Sequence, residues 1–288
     1  MKPNFFYSIL SKILSIPKFN GKEFVRILSS SKFLKKDSLK WTEERIPFVF
    51  QIVIIYIITI FILQKVMKNY EAFKLKIPLA IWNLFLSIYS TISVYYLFND
   101  FFEYILKYNI TGSWCILGDY DEGITGYYVW LFTVSKLFEL FDTLFVVLKK
   151  KPLRFIHWYH HILTLIFIFF TYIQIPAFAR WGVFLNTFVH SIMYFYYFVK
   201  SLNIKVPKFI PIIITSLQII QFIMSCCGII NITYKRLFTQ DFCHTSTFIL
   251  SFAAVMDFSY LFLFINFFIH NYLIKYNISK VSKKLKQN

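Results

Sequence analysis

The 288-residue chain is short of charge, and of acidic residues above all. Charged residues make up 16% of it, with only 14 Asp and Glu, where a soluble domain carries about 25%. Glycine (7) and proline (8) are scarce too, which excludes a collagen-like or low-complexity disordered chain. Four cysteines are too few for a disulfide-stapled scaffold. What is abundant is apolar: 58% hydrophobic and 22% aromatic residues, including 37 Phe and 20 Tyr. A net charge of +17 would suit a soluble nucleic-acid binder, but not one with this much apolar surface to hide. The composition instead predicts an all-α, multi-pass membrane protein, with the lipid bilayer as partner and no nucleic acid. Its basic residues should be confined to loops and tails.

A span needs about 20 mainly apolar residues to cross roughly 30 Å of hydrocarbon. Runs over 46–64, 77–98, 127–148, 155–175, 180–199, 208–231 and 246–271 predict seven transmembrane helices, the fifth being the most polar. Three parts follow: a basic N-terminal tail (1–45), a membrane domain (46–271) and a basic C-terminal tail (272–288). The tail sequence FFYSILSKIL suits an amphipathic helix on a membrane surface.

Lys and Arg set the orientation. Loops 1–2, 3–4 and 5–6 and the C-terminal tail carry sixteen of them, against four in the alternate loops. The odd loops and the C-terminus are therefore expected in the cytosol. Seven spans then put the ten basic residues of the N-terminal tail on the opposite, lumenal side, against the rule. The sequons at Asn109 and Asn231 fall in or beside lumenal loops. Lysines 284 and 286 match a cytosolic dilysine signal, which predicts residence in the endoplasmic reticulum membrane. Cys115 and Cys243 both fall in lumenal loops, an oxidising side, and are expected to pair. Cys226 and Cys227 lie within a span and read as packing.

Ionisable groups inside a span are costly and mark function by default. The third span holds Lys136, Glu139, Asp142 and Thr143 in KLFELFDT, within one helical face. Lys136 can pair with Glu139 at i+3. The fourth span opens with His157, His160 and His161 in HWYHH. The fifth carries Asn186, His190, Met193, Tyr194 and Tyr197 in NTFVHSIMYFYY. The sixth carries Thr215, Gln218 and Gln221 in TSLQIIQ. From the cytosolic loops, Asp142 lies about 10 Å deep, His160 about 9 Å, His190 about 15 Å and Thr215 about 11 Å. Four spans thus place polar groups in one layer, with none continuing towards the lumen. The loop KKKPLR (Lys149, Lys150, Lys151, Arg154) sits at its mouth, where it could meet phosphates by charge.

Clustered histidines suggest a metal first. A di-iron oxygenase needs about eight His in several boxes, and this chain has six altogether. A single zinc ion on the cluster stays open, as does organic catalysis with a histidine as nucleophile or base and a carboxylate fixing its tautomer. A transporter or channel is the rival class.

The four motifs KLFELFDT, HWYHH, NTFVHSIMYFYY and TSLQIIQ occur in the order, spacing and spans of the signature motifs of the ELO family of very-long-chain fatty-acid elongases. The resemblance covers about residues 65–275. The tryptophan of HWYHH is most similar to the subgroup that extends saturated and monounsaturated chains. The resemblance implies a 3-oxoacyl-CoA synthase that condenses an acyl-CoA with malonyl-CoA and needs no cofactor or metal. It also implies that helices two to seven form a barrel around an acyl tunnel, with the first span outside. His160 would then be the nucleophile and His190 would orient or deprotonate. His157 and His161 would shape the site, with Asp142 and Glu139 as their partners. Lys136, Asn186, Tyr194, Gln218 and Gln221 would hold the malonyl group, and Thr143, Met193, Tyr197 and Thr215 the rest of the substrate. Partners on this reading are the ketoacyl reductase, dehydratase and enoyl reductase of the elongation cycle, and a second copy in a homodimer.

Overall fold

A computed structural model describes residues 21–239 and 241–274, and among these every regular element is helical. The stretch FFYSILSKIL and the lysines at 284 and 286 lie outside the described residues. The elements are α1 (Gly21–Ser29), α2 (Lys35–Glu44), α3 (Ile46–Val66), α4 (Lys76–Ser113), α5 (Gly123–Glu139), α6 (Phe141–Leu148), α7 (Phe155–Gln174), α8 (Ala179–Ser201), α9 (Phe209–Tyr234) and α10 (Thr247–Phe268).

Among the described residues, five helical stretches are long and apolar enough to cross a membrane: Ile46–Asn69, Lys76–Ser113, Phe155–Gln174, Phe209–Thr239 and Thr247–Ile274. Their outward faces expose residues such as Ile54, Ile58, Ile81, Phe85, Ile88 and Phe262, the pattern expected of a surface solvated by lipid. The other two expected spans depart from it for different reasons. The run 127–148 is divided at Leu140 into α5 and α6, so neither piece has the length. The run 180–199 forms the 23-residue α8, but Arg180, His190 and Lys200 dilute its apolar character.

Helices α4, α5, α7, α10, α9 and α8 pack on one another in that cyclic order, α8 returning to α4 through the most extensive interface. The sequence allows the close α4–α8 approach because Ser87, Ser90 and Ser93 are small and buried along α4. Ser87 Oγ donates to the Ser191 carbonyl of α8 at 3.0 Å. Small side chains of this kind let membrane helices come near enough for dispersion contacts to hold them. Helix α3 lies outside this set, against α6, α7 and α2. The N-terminal helices do not stand apart: Ile27 of α1 is fully buried, and Trp41 of α2 is 3% exposed.

One end of the bundle is knitted by polar contacts. Cys115 and Cys243 are joined in a disulfide. His244 N donates to the Cys115 carbonyl at 2.9 Å, and Ala177 N to the His244 carbonyl at 2.8 Å. Arg180 is buried, with Nε on Asp100 Oδ2 at 2.7 Å and its two terminal nitrogens on the carbonyls of Ile116 and Leu117. Its guanidinium also lies 3.7 Å from the Tyr104 ring centroid. Trp114 stacks on Trp181 at 4.6 Å, and it fits against α9 only because residue 228 is glycine: a Cβ there would meet the indole at 2.3 Å. At the opposite end Arg154 reaches Asn271 Oδ1 at 3.1 Å.

Arg180→Met would leave the Asp100 carboxylate and two carbonyls without their donor. Removing one partner of a buried pair costs about 3–5 kcal/mol. Thermal unfolding in detergent, followed by tryptophan fluorescence, should show a loss of that size.

Candidate active site

The wall of a cavity of about 640 Å³ is built from α4, α5, α6, α7, α8, α9 and α10. Helix periodicity explains which residues reach it. On α7 they are Ile156, His157, His160 and His161; on α8, Asn186, His190, Met193, Tyr194 and Tyr197; on α9, Thr215, Gln218 and Gln221. Each set falls at i, i+3 or i+4 steps, one stripe of one face. Lys149, Lys151, Arg154 and Lys200 line the end where the cavity reaches the surface.

A second, narrower chamber of about 80 Å³ continues towards the disulfide end, and its wall is mostly apolar. The α7 stripe runs on into it through Thr164, Phe167, Ile168, Thr171 and Tyr172, with Trp114, Phe178 and Trp181 also in its lining. Four residues border both spaces: His160, Asn186, Gln221 and Phe222. His160 therefore stands at the neck between a wide space with a basic mouth and a narrow apolar one. Its ring lies 4.8 Å from that of Tyr260, whose hydroxyl donates to the His160 carbonyl at 3.1 Å and shares a hydrogen bond with Thr164 at 2.9 Å.

Beside the neck the ionisable groups form a connected set. Lys136 Nζ donates to Glu139 Oε1 at 2.8 Å and to Asn186 Oδ1 at 2.9 Å. Glu139 Oε1 lies 3.6 Å from His190 Nδ1, and Asn186 Nδ2 lies 3.3 Å from His190 Nε2. Glu139 and Lys136 are each 3% exposed, so each is the condition for burying the other. Asp142 forms a separate node, accepting from Trp82 Nε1 at 2.6 Å and from the Tyr194 hydroxyl at 2.7 Å. Gln218 Nε2 donates to Met193 Sδ at 3.3 Å. Thr215 Oγ1 donates to the Pro211 carbonyl at 2.9 Å. His157 Nε2 is buried with no hydrogen-bond partner among the described residues.

Three expected members line neither space: Lys136 is tied to the wall only through Glu139 and Asn186, and Thr143 and Lys150 lie elsewhere. Thr143 is fully buried against α3, its hydroxyl 2.6 Å from that of Tyr56. Thr143 lines neither space, and its contact with Tyr56 directs it to α3. Lys150 adopts a φ of 51° and donates to the Tyr70 carbonyl at 3.0 Å, clear of the cavity wall. The polar groups also do not stop at the histidine layer. Asp257 of α10 lines the narrow chamber and accepts from Ser225 Oγ at 2.7 Å. An ionisable residue in an apolar span, in AAVMDFSY, was signal enough to find it. Trp82, a polar-tipped ring within the second span, was legible on the same ground. Among the described residues, no group of three His, Cys, Asp or Glu side chains is disposed to hold a metal ion.

The fold and the site define a class of protein: a multi-helix membrane protein with a histidine-bordered cavity that narrows into an apolar chamber. The model of the ELO (GNS1/SUR4) family matches residues 41–281, and the chain belongs to that family. It is 40% identical over 271 residues to long chain fatty acid elongase 1 of Caenorhabditis elegans, spanning 93% of this chain and 94% of the relative. It is 37% identical to very long chain fatty acid elongase 6 of Drosophila melanogaster (84% and 77% of the two chains). It is 35% identical to very long chain fatty acid elongase 3 of Homo sapiens (83% and 88%).

Because Lys136 and Glu139 neutralise each other in a dry setting, Glu139→Gln alone should cost about 3–5 kcal/mol of stability. The double variant Lys136→Met/Glu139→Gln should recover most of that loss. Equal destabilisation by the single and double variants in thermal unfolding would contradict the pairing.

Proposed function

We propose that the chain is a condensing enzyme of fatty-acid elongation, a very-long-chain 3-oxoacyl-CoA synthase. It joins a fatty acyl-CoA to malonyl-CoA and yields a 3-oxoacyl-CoA, CoA and carbon dioxide. The observation that carries this reading is His160 at the neck between the two cavities, in a chain whose relatives are named fatty acid elongases. The acyl tail would occupy the narrow chamber, and the CoA would remain in the wide space. Its phosphates would lie near Lys149, Lys151 and Arg154, where fixed positive charge favours them.

On this reading an imidazole nitrogen of His160 attacks the thioester carbonyl. A C–N bond forms, the C–S bond breaks, and CoA leaves as the thiol, taking the proton that the acylated imidazole gives up. Malonyl-CoA then loses its carboxylate as carbon dioxide, and the electron pair left on its α-carbon attacks the acyl carbonyl. The C–C bond forms as the C–N bond breaks, and one proton taken up from solvent restores the imidazole. Decarboxylation supplies the carbanion, so the scheme requires no cofactor. Asn186 and Gln221 border the neck and would be the donors that stabilise the developing enolate, with Lys136 acting behind Asn186. His190, between Glu139 and Asn186, can move the proton. Tyr194, Met193, Tyr197, Thr215, Gln218 and Gln221 border the wide space and would contact the malonyl or pantetheine part.

The same proposal takes α5 with α6, and α8, as two further spans, giving seven. The cyclic packing order of α4, α5, α7, α10, α9 and α8 supports a barrel with α3 outside it. The basic mouth would face the cytosol and the disulfide end the lumen of the endoplasmic reticulum. The later enzymes of the cycle, a ketoacyl reductase, a dehydratase and an enoyl reductase, would take the product.

Purified protein given malonyl-CoA and a ladder of acyl-CoAs should release 3-oxoacyl-CoAs, read by mass. His160→Ala should abolish both the acyl-enzyme and condensation, and retained turnover would remove it as nucleophile. Activity should persist in strong chelator; a loss restored by zinc would favour metal chemistry. Anion flux in liposomes without condensation would favour a transporter.

A further inference from the structure

We propose that residues 21–40, which precede the stretch matched by the family, set the depth of the narrow chamber, with Ser38 as a positioning residue acting through Tyr172. The inference rests on the condensing-enzyme reading, in which that chamber receives the acyl tail.

The segment is anchored at the disulfide end of the bundle. Lys35 Nζ pairs with Asp121 Oδ2 at 2.7 Å and with Glu122 Oε1 at 3.0 Å, in the turn between α4 and α5. The Tyr127 hydroxyl donates to the Leu28 carbonyl at 3.0 Å. The rings of Phe24 and Trp41 lie 5.5 Å and 5.7 Å from that of Trp130 on α5. Helix α2 thereby packs on α5 and α7, two helices that line the chamber.

Tyr172 joins this anchor to the chamber. It is a wall residue there, and its hydroxyl is 2.7 Å from Ser38 Oγ. Twelve residues separate it from His160 on one helix, so it stands about 18 Å deeper along the axis. A tail attached at His160 meets Tyr172 only when it is long. Behind Tyr172 there is no slack: Ser38 is 0% exposed and Tyr172 is 4% exposed. Interiors packed to that density pass a change of volume on to their neighbours. A larger side chain at 38 must push the Tyr172 ring inwards and shorten the chamber. Removing the ring must lengthen it, up to Ser38.

The two changes should therefore shift acyl preference in opposite directions, which misfolding cannot do. The full-length protein, its Ser38→Leu variant and its Tyr172→Ala variant would each receive malonyl-CoA and a competing ladder of acyl-CoAs, with products read by mass. For Ser38→Leu, yield from the longest acyl-CoA used by the parent should fall about tenfold or more relative to the shortest, the usual discrimination per methylene at a closed apolar pocket. The rate on the shortest should be kept. For Tyr172→Ala, the ratio of long to short products should rise. A proportional loss at every length, or an unchanged length profile, would overturn the proposal. A parent protein that condenses no acyl-CoA would instead overturn the condensing-enzyme reading, and this inference with it.

Discussion

Glu139 is the group on which the polar interior depends. An unpaired carboxylate charge in an apolar helix bundle is costly, and so is an unpaired ammonium. Together, at 2.8 Å, Lys136 and Glu139 can both be buried. Each then has capacity to spare: Lys136 for Asn186, Glu139 for His190. Two neighbouring helices, α5 and α8, are thus tied by the same charges that fix the orientation of an imidazole. Asp142, half-buried, is held by another route, through an indole and a phenol.

Around that core the cavity wall changes character with depth. Cationic side chains border the surface end, amides and imidazoles the middle, and aromatic rings the far chamber. The gradient follows from continuous stripes on α7, α8, α9 and α10, each one face of one helix. A molecule with a charged head and an apolar tail fits such a gradient in one orientation only.

Much of this was legible in the sequence because polar residues stand out in an apolar chain. The histidines of α7 and the stripes of α8 and α9 follow from spacing alone, and all of them border the cavity. The pairing of Lys136 with Glu139 is a local i+3 relation and was equally plain. What was not legible is non-local or unmarked. Nothing in the motif marks the contact of Thr143 with Tyr56, 87 residues away on α3, which keeps Thr143 out of the cavity wall. Ser38 and Tyr172 are 134 residues apart, and no periodicity relates them. Asp257 differs: the signal was present, but no histidine, lysine, arginine or second carboxylate accompanies it in α10.

The disulfide joins positions 128 residues apart, and the buried Arg180 fork reinforces the same end. At the other end the ties named among the described residues are non-covalent: Arg154 to Asn271 and the Phe267 ring, Tyr272 to the Pro211 carbonyl, and Lys150 to the Tyr70 carbonyl. Local opening follows the weakest set of contacts. The bundle is therefore a clasped purse, stiff at the seam and free to gape at the lips. Whatever enters does so at the lips, between Lys149, Lys151 and Arg154, and leaves the seam closed.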